Sequence, residues 1–201
     1  MVSGDVPGAG PGRIPVGVSA RHVHLSPAHV EALFGPGAEL TPDRPLSQPG
    51  QFACRERVLI AGPKGAIAGV RVLGPARGAT QVEVSATDAI ALGVQPPVRE
   101  SGKHEGSASL TLVGPAGSVT VPSGVILAQR HIHMRPEDAA RFGVRDGELV
   151  WVAATEGPRR TVFGDVLVRV SPNYQLEFHI DTDEANAAGL RTGDTVVLIK
   201  A

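Results

Sequence analysis

A short phrase that occurs twice constrains the fold of this chain more than any other feature. Residues 20–27 read Ala-Arg-His-Val-His-Leu-Ser-Pro, and residues 129–136, at an offset of 109, read Gln-Arg-His-Ile-His-Met-Arg-Pro. An apolar segment precedes each copy and predicts a strand. Because alternate side chains of a strand point to the same face, the two imidazoles of each His-x-His can reach one metal ion. The repeat therefore predicts two related folding units, each with a candidate metal site.

Four short helices are predicted at equivalent places in the repeat. Each follows a strand end and a polar cap, and a glycine ends it. These glycines, predicted in the left-handed conformation that glycine favours beyond a helix, are Gly35, Gly93, Gly143 and Gly189. A residue that can ligate a metal precedes each glycine by 10 or 11 positions, and these residues are His24, Glu83, His133 and His179.

Each half of the chain thus offers three candidate metal ligands. The first set is His22, His24 and Glu83, and the second is His131, His133 and His179. Three nitrogen or oxygen ligands with an open fourth position are typical of a catalytic zinc site, whereas structural zinc sites more often use cysteine. A single His-x-His pair is as often a hydrogen-bonded pair without metal, and a glutamate at a strand end is usually solvated. The repetition of the whole arrangement favours metal binding.

Composition excludes several classes of protein. The net charge is −1 and the longest basic run is Arg159-Arg160, so no electrostatic footprint for nucleic acid is present. No segment approaches the length of a membrane span, and no signal peptide is apparent. The lone cysteine excludes an internal disulfide framework and suits a reducing cytoplasm. These observations predict a cytoplasmic protein that binds neither nucleic acid nor membrane.

The 25 glycines and 17 prolines divide the chain into many short elements, which favours a β-rich fold over a helical bundle. We predict a mainly β protein made of two related six-stranded β-barrels, each capped by short α-helices. Residues 1–13 are predicted to be a disordered tail, residues 14–123 the first barrel half and residues 124–201 the second. Whether the first strand packs in its own half or is exchanged into the other barrel stays open.

Four longer segments carry a resemblance to a known family. They are Ser-Ala-Arg-His-Val-His-Leu-Ser, Leu-Gly-Pro-Ala-Arg-Gly-Ala-Thr-Gln-Val-Glu-Val-Ser, Val-Arg-Glu-Ser-Gly and Gln-Arg-His-Ile-His-Met. From about Ile14 to the C-terminus the chain resembles the PduL-type phosphotransacylases, also named phosphate propanoyltransferases. The resemblance implies two β-barrel domains, two zinc ions, and the exchange of an acyl group between coenzyme A and inorganic phosphate.

The resemblance also implies roles for individual residues. It assigns the same two ligand sets as the internal repeat, one zinc ion to each. Arg77 matches the family's phosphate-contacting arginine, and Ser101 lies in the family's active-site loop. A homodimer is expected on the same basis. Many members carry an N-terminal amphipathic helix that targets them to a bacterial microcompartment, whereas residues 1–13 show no apolar periodicity. A cytoplasmic enzyme that accepts acetyl- or propanoyl-coenzyme A is therefore expected.

Two other classes of function remain open from the sequence. A zinc ion with an open position can equally activate water, so the chain can be a zinc-dependent hydrolase. A non-catalytic binding module that uses zinc for its structure is the second alternative. Among the remaining residues, His29 and His104 are expected to be solvated, and Cys54 is expected to be a small core residue. Arg21 and Arg130, inside the repeated phrase, are expected to support the ligands.

Overall fold

The structure, a computed structural model, describes residues 12–200, so most of the expected disordered tail lies outside the described residues. The strands in the first part of the chain are β1 (Arg13–Ser19), β2 (His22–His24), β3 (Pro42–Pro45), β4 (Phe52–Ala61), β5 (Ala66–Gly74), β6 (Gln81–Glu83), β7 (Val98–Arg99), β8 (Ala108–Val113) and β9 (Ser118–Ala128). Those that follow are β10 (His131–Met134), β11 (Leu149–Ala154), β12 (Thr161–Val170), β13 (Glu177–Asp181) and β14 (Thr195–Ile199). The helices are α1 (Pro27–Phe34), α2 (Ala86–Leu92), α3 (Pro136–Phe142) and α4 (Thr182–Ala188).

The described chain forms two compact units, each with a closed six-stranded barrel. We call the unit Ala20–Gln129 the first barrel. Its strands close in the order β4, β5, β2, β6, β9, β8 and back to β4, with β3 and β7 added beside β4 and β9. The second barrel takes in the described residues up to Ser19 and from Arg130 onward, and closes in the order β1, β13, β10, β12, β11, β14. The predicted fold class is confirmed.

The strand that leads into each His-x-His phrase belongs to the opposite barrel. Strand β1 precedes the first phrase but pairs in parallel with β13 and antiparallel with β14 of the second barrel. Strand β9 precedes the second phrase but pairs in parallel with β6 of the first barrel. The two strands occupy equivalent places, because Gly17 lies opposite His179 and Ile126 lies opposite Glu83. The chain thus changes barrel immediately before each phrase.

Because of this exchange, the chain passes from one unit to the other after Ser19 and after Gln129. We expected the two halves to meet between residues 123 and 124, but that point lies inside the continuous strand β9. Apolar alternation predicts two strands here, over residues 118–121 and 124–128, but they form β9 alone, and Gly124 has a positive φ of 124° where the register with β8 shifts. Apolar alternation on the two sides of Gly164 also predicts two strands, over residues 160–163 and 164–170, but they form the single strand β12. The register between β11 and β12 shifts there, and Asp165 has a positive φ of 50°, as in a β-bulge.

Each barrel encloses a core of aliphatic side chains that alternate along its strands. In the first barrel, Val23 and Val82 are fully buried within one apolar cluster. In the second, Ile132 and Phe178 occupy the corresponding positions. The side chains on either side of these residues must project from the opposite face of each strand. The core pattern therefore decides where the histidines point. No helix in residues 12–200 is long and apolar enough to cross a membrane.

The four helices form where the repeat predicts them. The expected left-handed glycine is confirmed after α2, α3 and α4. The same prediction is wrong for Gly35 after α1, where φ is 111° but ψ is 162°, outside the left-handed helical region. Pro36 follows this glycine, and the residue before a proline is driven to an extended ψ. The Gly35 N–H still donates to the Glu31 carbonyl at 2.8 Å, so α1 is closed without the left-handed turn.

Candidate metal centres

The first barrel presents its candidate ligands on the face opposite its core. Val23 is buried in that core, so His22 and His24 project from the other side of β2. Strand β6 pairs antiparallel with β2 and places Glu83 directly opposite His22. The potential ligand atoms of these three residues all lie within 4.8 Å of one another. We call this group the first triplet.

Hydrogen bonding fixes which nitrogen of His22 faces the triplet. Its Nδ1 lies 2.9 Å from the carbonyl oxygen of Ala20, which can only accept, so Nδ1 carries the proton. The other nitrogen, Nε2, lies 3.4 Å from Glu83 Oε2. A metal-binding histidine is commonly held in this way, with one ring nitrogen donating to a backbone carbonyl and the other free to ligate.

The charges around the first triplet favour a cation. Burial, together with the positive charges of His22 and Arg77, lowers the pKa of His24 to about 3 and keeps its imidazole neutral. Burial alone lowers the pKa of His22, but the Glu83 carboxylate outweighs it and the pKa is raised. Glu83 thus stabilises positive charge on the His22 ring, and the same carboxylate attracts a metal cation placed between the two residues.

The second barrel repeats this geometry with a third histidine. Ile132 and Met134 are buried in the core, so His131 and His133 share the other face of β10. Strand β13 pairs antiparallel with β10 and places His179 opposite His131, where the two rings stack with centroids 4.9 Å apart. The ligand atoms of this second triplet again lie within 4.8 Å of one another.

His133 is the most constrained member of the second triplet. Burial, together with the positive charges of the neighbouring His131 and His179, lowers its pKa to about 2, so the ring is neutral. The ring of Tyr174 stacks on it with centroids 4.0 Å apart. Both ring nitrogens are buried and lack a hydrogen-bond partner within residues 12–200.

Buried nitrogens of this kind test whether a metal fits. An unpaired polar group in the interior costs about 1–3 kcal/mol, so native proteins rarely keep one without a function. His24 Nδ1 and both nitrogens of His133 are such atoms among the described residues. Two histidines with a glutamate, and three histidines, are both donor sets that zinc uses in catalytic sites. The residues of both triplets therefore fit a zinc ion.

The structure places Arg77 and Ser101 together beside the first triplet. Arg77 Nη1 lies 3.3 Å from Ser101 Oγ. The backbone N–H of Arg77 donates to the Leu25 carbonyl at 2.8 Å, which anchors the loop that carries it. The guanidinium is close enough to His22 and His24 to lower the pKa of each, which offsets part of the effect of Glu83. An anion held by Arg77 therefore lies in the field of this triplet.

Two polar residues that the sequence alone did not indicate lie on the strands that carry the candidate ligands. Gln81 is opposite His24, and Glu177 is opposite His133, so they occupy equivalent positions two residues before the third ligand. Both are buried. An alignment of the two repeats could have indicated both residues, because it pairs Gln81 with Glu177 in the same way as it pairs Glu83 with His179. His29 and His104, expected to be solvated, are instead hydrogen-bonded to Thr80 and Gln81.

The arginine of each repeated phrase binds the helix that follows the third ligand. Arg21 Nε lies 2.8 Å from Asp88 Oδ1, and Arg130 Nε lies 3.1 Å from Glu184 Oε1. These acids also accept from the backbone N–H of the capping residue of α2 and α4, at 3.4 and 3.0 Å. Each arginine thus connects the phrase that carries two candidate ligands to the helix that begins just after the third.

Removing the Arg21 contact is expected to lower the stability of the first barrel. Asp88 is buried, and Arg21→Ala leaves the Asp88 carboxylate without this charged partner. The hydrogen bond between the two side chains raises the pKa of Arg21 in the wild-type chain, and the substitution removes it. Because Arg21 itself is partly exposed, we expect a cost of about 1–2 kcal/mol rather than that of a fully buried pair. Thermal unfolding measures this cost. The control Arg141→Ala, which breaks a more exposed pair with Asp138, should cost less than about 0.5 kcal/mol.

Comparison with known proteins gives the family. The chain matches the family model described as phosphate propanoyltransferase over residues 15–191, a span that contains both triplets, Arg77 and Ser101. This chain belongs to the phosphate propanoyltransferase family. The expectation of an acyltransferase is thereby confirmed.

Three curated relatives share more than half of their aligned residues with the chain. The phosphate propanoyltransferase of Thermotoga maritima is 57% identical over 185 residues, covering 92% of this chain and 88% of that protein. The protein of the same name from Priestia megaterium is 58% identical over 185 residues, covering 92% and 85%. That of Rhodobacter capsulatus is 54% identical over 190 residues, covering 94% and 87%.

Proposed function

We propose that this member of the family is a phosphate acyltransferase that exchanges a propanoyl or acetyl group between coenzyme A and inorganic phosphate. We further propose that it holds one zinc ion in each barrel, through His22, His24 and Glu83 in the first and His131, His133 and His179 in the second. The observation that carries the proposal is the presence of Arg77 and Ser101 in one hydrogen-bonded group beside the first triplet, in a chain of this family.

The anion-binding chemistry falls to Arg77 and Ser101. The planar guanidinium of Arg77 offers paired N–H donors that match phosphate oxygens. Ser101 Oγ accepts from Arg77 at 3.3 Å and from Gln81 at 2.8 Å. Because both contacts use its lone pairs, the hydroxyl proton is directed to a third group, and a phosphate oxygen is the acceptor that the proposal provides. The two side chains thus orient phosphate with one oxygen free to react.

The reaction is a direct transfer. A phosphate oxygen forms a bond to the acyl carbon, the carbon–sulfur bond breaks, and coenzyme A leaves as a thiolate that takes up a proton. When bound, zinc supplies a Lewis acid for the developing oxyanion and affinity for the departing sulfur. An acyl-cysteine intermediate is disfavoured because Cys54 is fully buried and burial raises the pKa of its thiol to about 11.

We also propose a homodimer in the cytoplasm. The dimer follows from the family resemblance, and the compartment is supported by a composition that contains a single cysteine. Light scattering of the purified chain measures the oligomeric state directly, with a mass of about twice 20.8 kDa expected.

Release of coenzyme A from acetyl-, propanoyl- and butanoyl-coenzyme A, measured with and without phosphate, tests the activity. The proposal predicts release that depends on phosphate and an equal amount of acyl phosphate. Release at the same rate without phosphate would identify a hydrolase instead. No release with any of the three substrates from zinc-loaded, folded protein would leave a binding module as the better description.

A further inference from the structure

The side chain of Gln81 is saturated with hydrogen bonds at the edge of the first triplet. It is only 2% exposed. Its Nε2 donates to Glu83 Oε1 at 2.6 Å and to Ser101 Oγ at 2.8 Å. Its Oε1 accepts from the backbone N–H of Gly102 at 2.7 Å and from His104 Nε2 at 2.9 Å. An amide has two donors and two acceptor positions, so each is used.

The orientation of this amide follows from its partners. The Gly102 N–H can only donate, and a carboxylate can only accept, so Oε1 must face the loop and Nε2 must face Glu83. His104 must then carry its proton on Nε2 to complete the set. Glu83, Ser101 and the loop after Ser101 are therefore joined through one side chain.

At the position that Gln81 occupies in the first barrel, the second barrel has Glu177, a carboxylate in place of an amide. Glu177 Oε2 lies 3.0 Å from Nε2 of His179, the third ligand there. Gly17 on the neighbouring strand leaves room for it, since a Cβ at that position would come within 2.7 Å of Glu177 Cδ. The candidate carboxylate ligand thus has an amide donor beside it, and the candidate imidazole ligand has a carboxylate beside it. The match in both barrels argues that this position serves the third ligand.

We propose that Gln81 is a positioning residue that couples metal binding at Glu83 to the order of the loop 101–104. The coupling rests on the proposed function, which identifies the metal as zinc and the anion bound beside the loop as phosphate. With zinc bound, Glu83 is held in one orientation, its contact with Nε2 fixes the amide, and the amide fixes Gly102 and Ser101. Conversely, a disordered loop leaves Gln81 free to rotate and weakens the hold on Glu83.

A variant without the amide tests both directions of this coupling. Gln81→Met keeps the length and burial of the side chain but has no hydrogen-bonding amide. We expect its zinc affinity at the first site to fall about 10- to 100-fold, the usual effect of losing a group that holds a metal ligand. The KM for phosphate should rise about tenfold while the KM for acyl-coenzyme A stays within about twofold, because Ser101 loses its orientation. Gln48→Met, which removes a buried glutamine in the turn between β3 and β4, should change neither quantity.

Hydrogen exchange of the wild-type chain tests the coupling without a substitution. Addition of zinc to metal-free protein should slow exchange of the Gly102 amide, which donates to Gln81. The coupling is overturned if Gly102 exchanges equally with and without zinc, if zinc does not bind the first triplet, or if folded Gln81→Met keeps wild-type zinc affinity. Because zinc binding and exchange are measured without substrate, the coupling can hold in a chain that proves not to transfer acyl groups, and it can fail in one that does.

Discussion

Replacement of His133 with alanine is expected to remove the metal of the second barrel and nearly all activity. Its two ring nitrogens are buried without a partner within residues 12–200, and its pKa of about 2 keeps it a neutral ligand at every working pH. The variant retains only two of three ligands, so metal content should fall from close to two ions per chain to close to one. Phosphate-dependent release of coenzyme A should fall by about 10³-fold or more, at least the scale of losing one charge-stabilising group.

Metal analysis and activity are measured on the same preparation of His133→Ala. His29→Ala is the matched control, since His29 bonds Thr80 and belongs to neither triplet. It should keep both ions and most of the activity. A folded His133→Ala protein that retains two ions would show that the second triplet is a packed histidine cluster rather than a metal site.

Replacement of Arg77 with alanine is expected to separate phosphate binding from metal binding. Arg77 contacts Ser101 but is not a member of the first triplet, so zinc content and fold should be unchanged. Phosphate saturation should weaken, and turnover should fall by about 10²-fold or more, because the guanidinium no longer balances the charge of the phosphate. Steady-state rates at varied phosphate, together with metal analysis, measure both effects.

The conservative variant at the same position sharpens this prediction. Arg77→Lys should recover only part of the lost rate, since an ammonium keeps the charge but lacks the two-pronged geometry. Arg57→Ala, at an exposed arginine of β4 in the same barrel, is the control and should leave phosphate saturation unchanged. An Arg77→Ala enzyme with wild-type phosphate dependence would leave this arginine as an ordinary loop residue.

The proximity of the residues within each triplet could be predicted because two local rules agree at the same positions. Because Val23 and Ile132 are buried in the cores, strand alternation places both histidines of each phrase on the opposite face of the strand. The helix that follows each third ligand has a cap and a stopping glycine, which fix its distance along the chain from the ligand. Each of these constraints acts within a few residues and is visible in the sequence, and the internal repeat indicates which distant residue joins each pair of histidines.

Other features depend on contacts between distant segments and leave no local signal. The exchange of β1 and β9 between barrels is a choice of pairing partner, and either choice satisfies the same alternation. Gln81 forms hydrogen bonds with a loop about 20 residues further along the chain. Its contacts with that loop are therefore seen only in the folded structure. The short strands β3 and β7 are set by pairing with their neighbours rather than by apolar alternation, and the sequence did not predict them.

The activity of metal-free protein titrated with zinc tests the central claim most directly. Chelator-stripped protein is mixed with increasing zinc, and phosphate-dependent release of coenzyme A is measured against the number of ions bound per chain. If both triplets hold metals that the reaction needs, activity should be absent without zinc and should reach its maximum as the second ion binds. Full activity in folded protein that carries no metal would contradict the proposed role of both triplets.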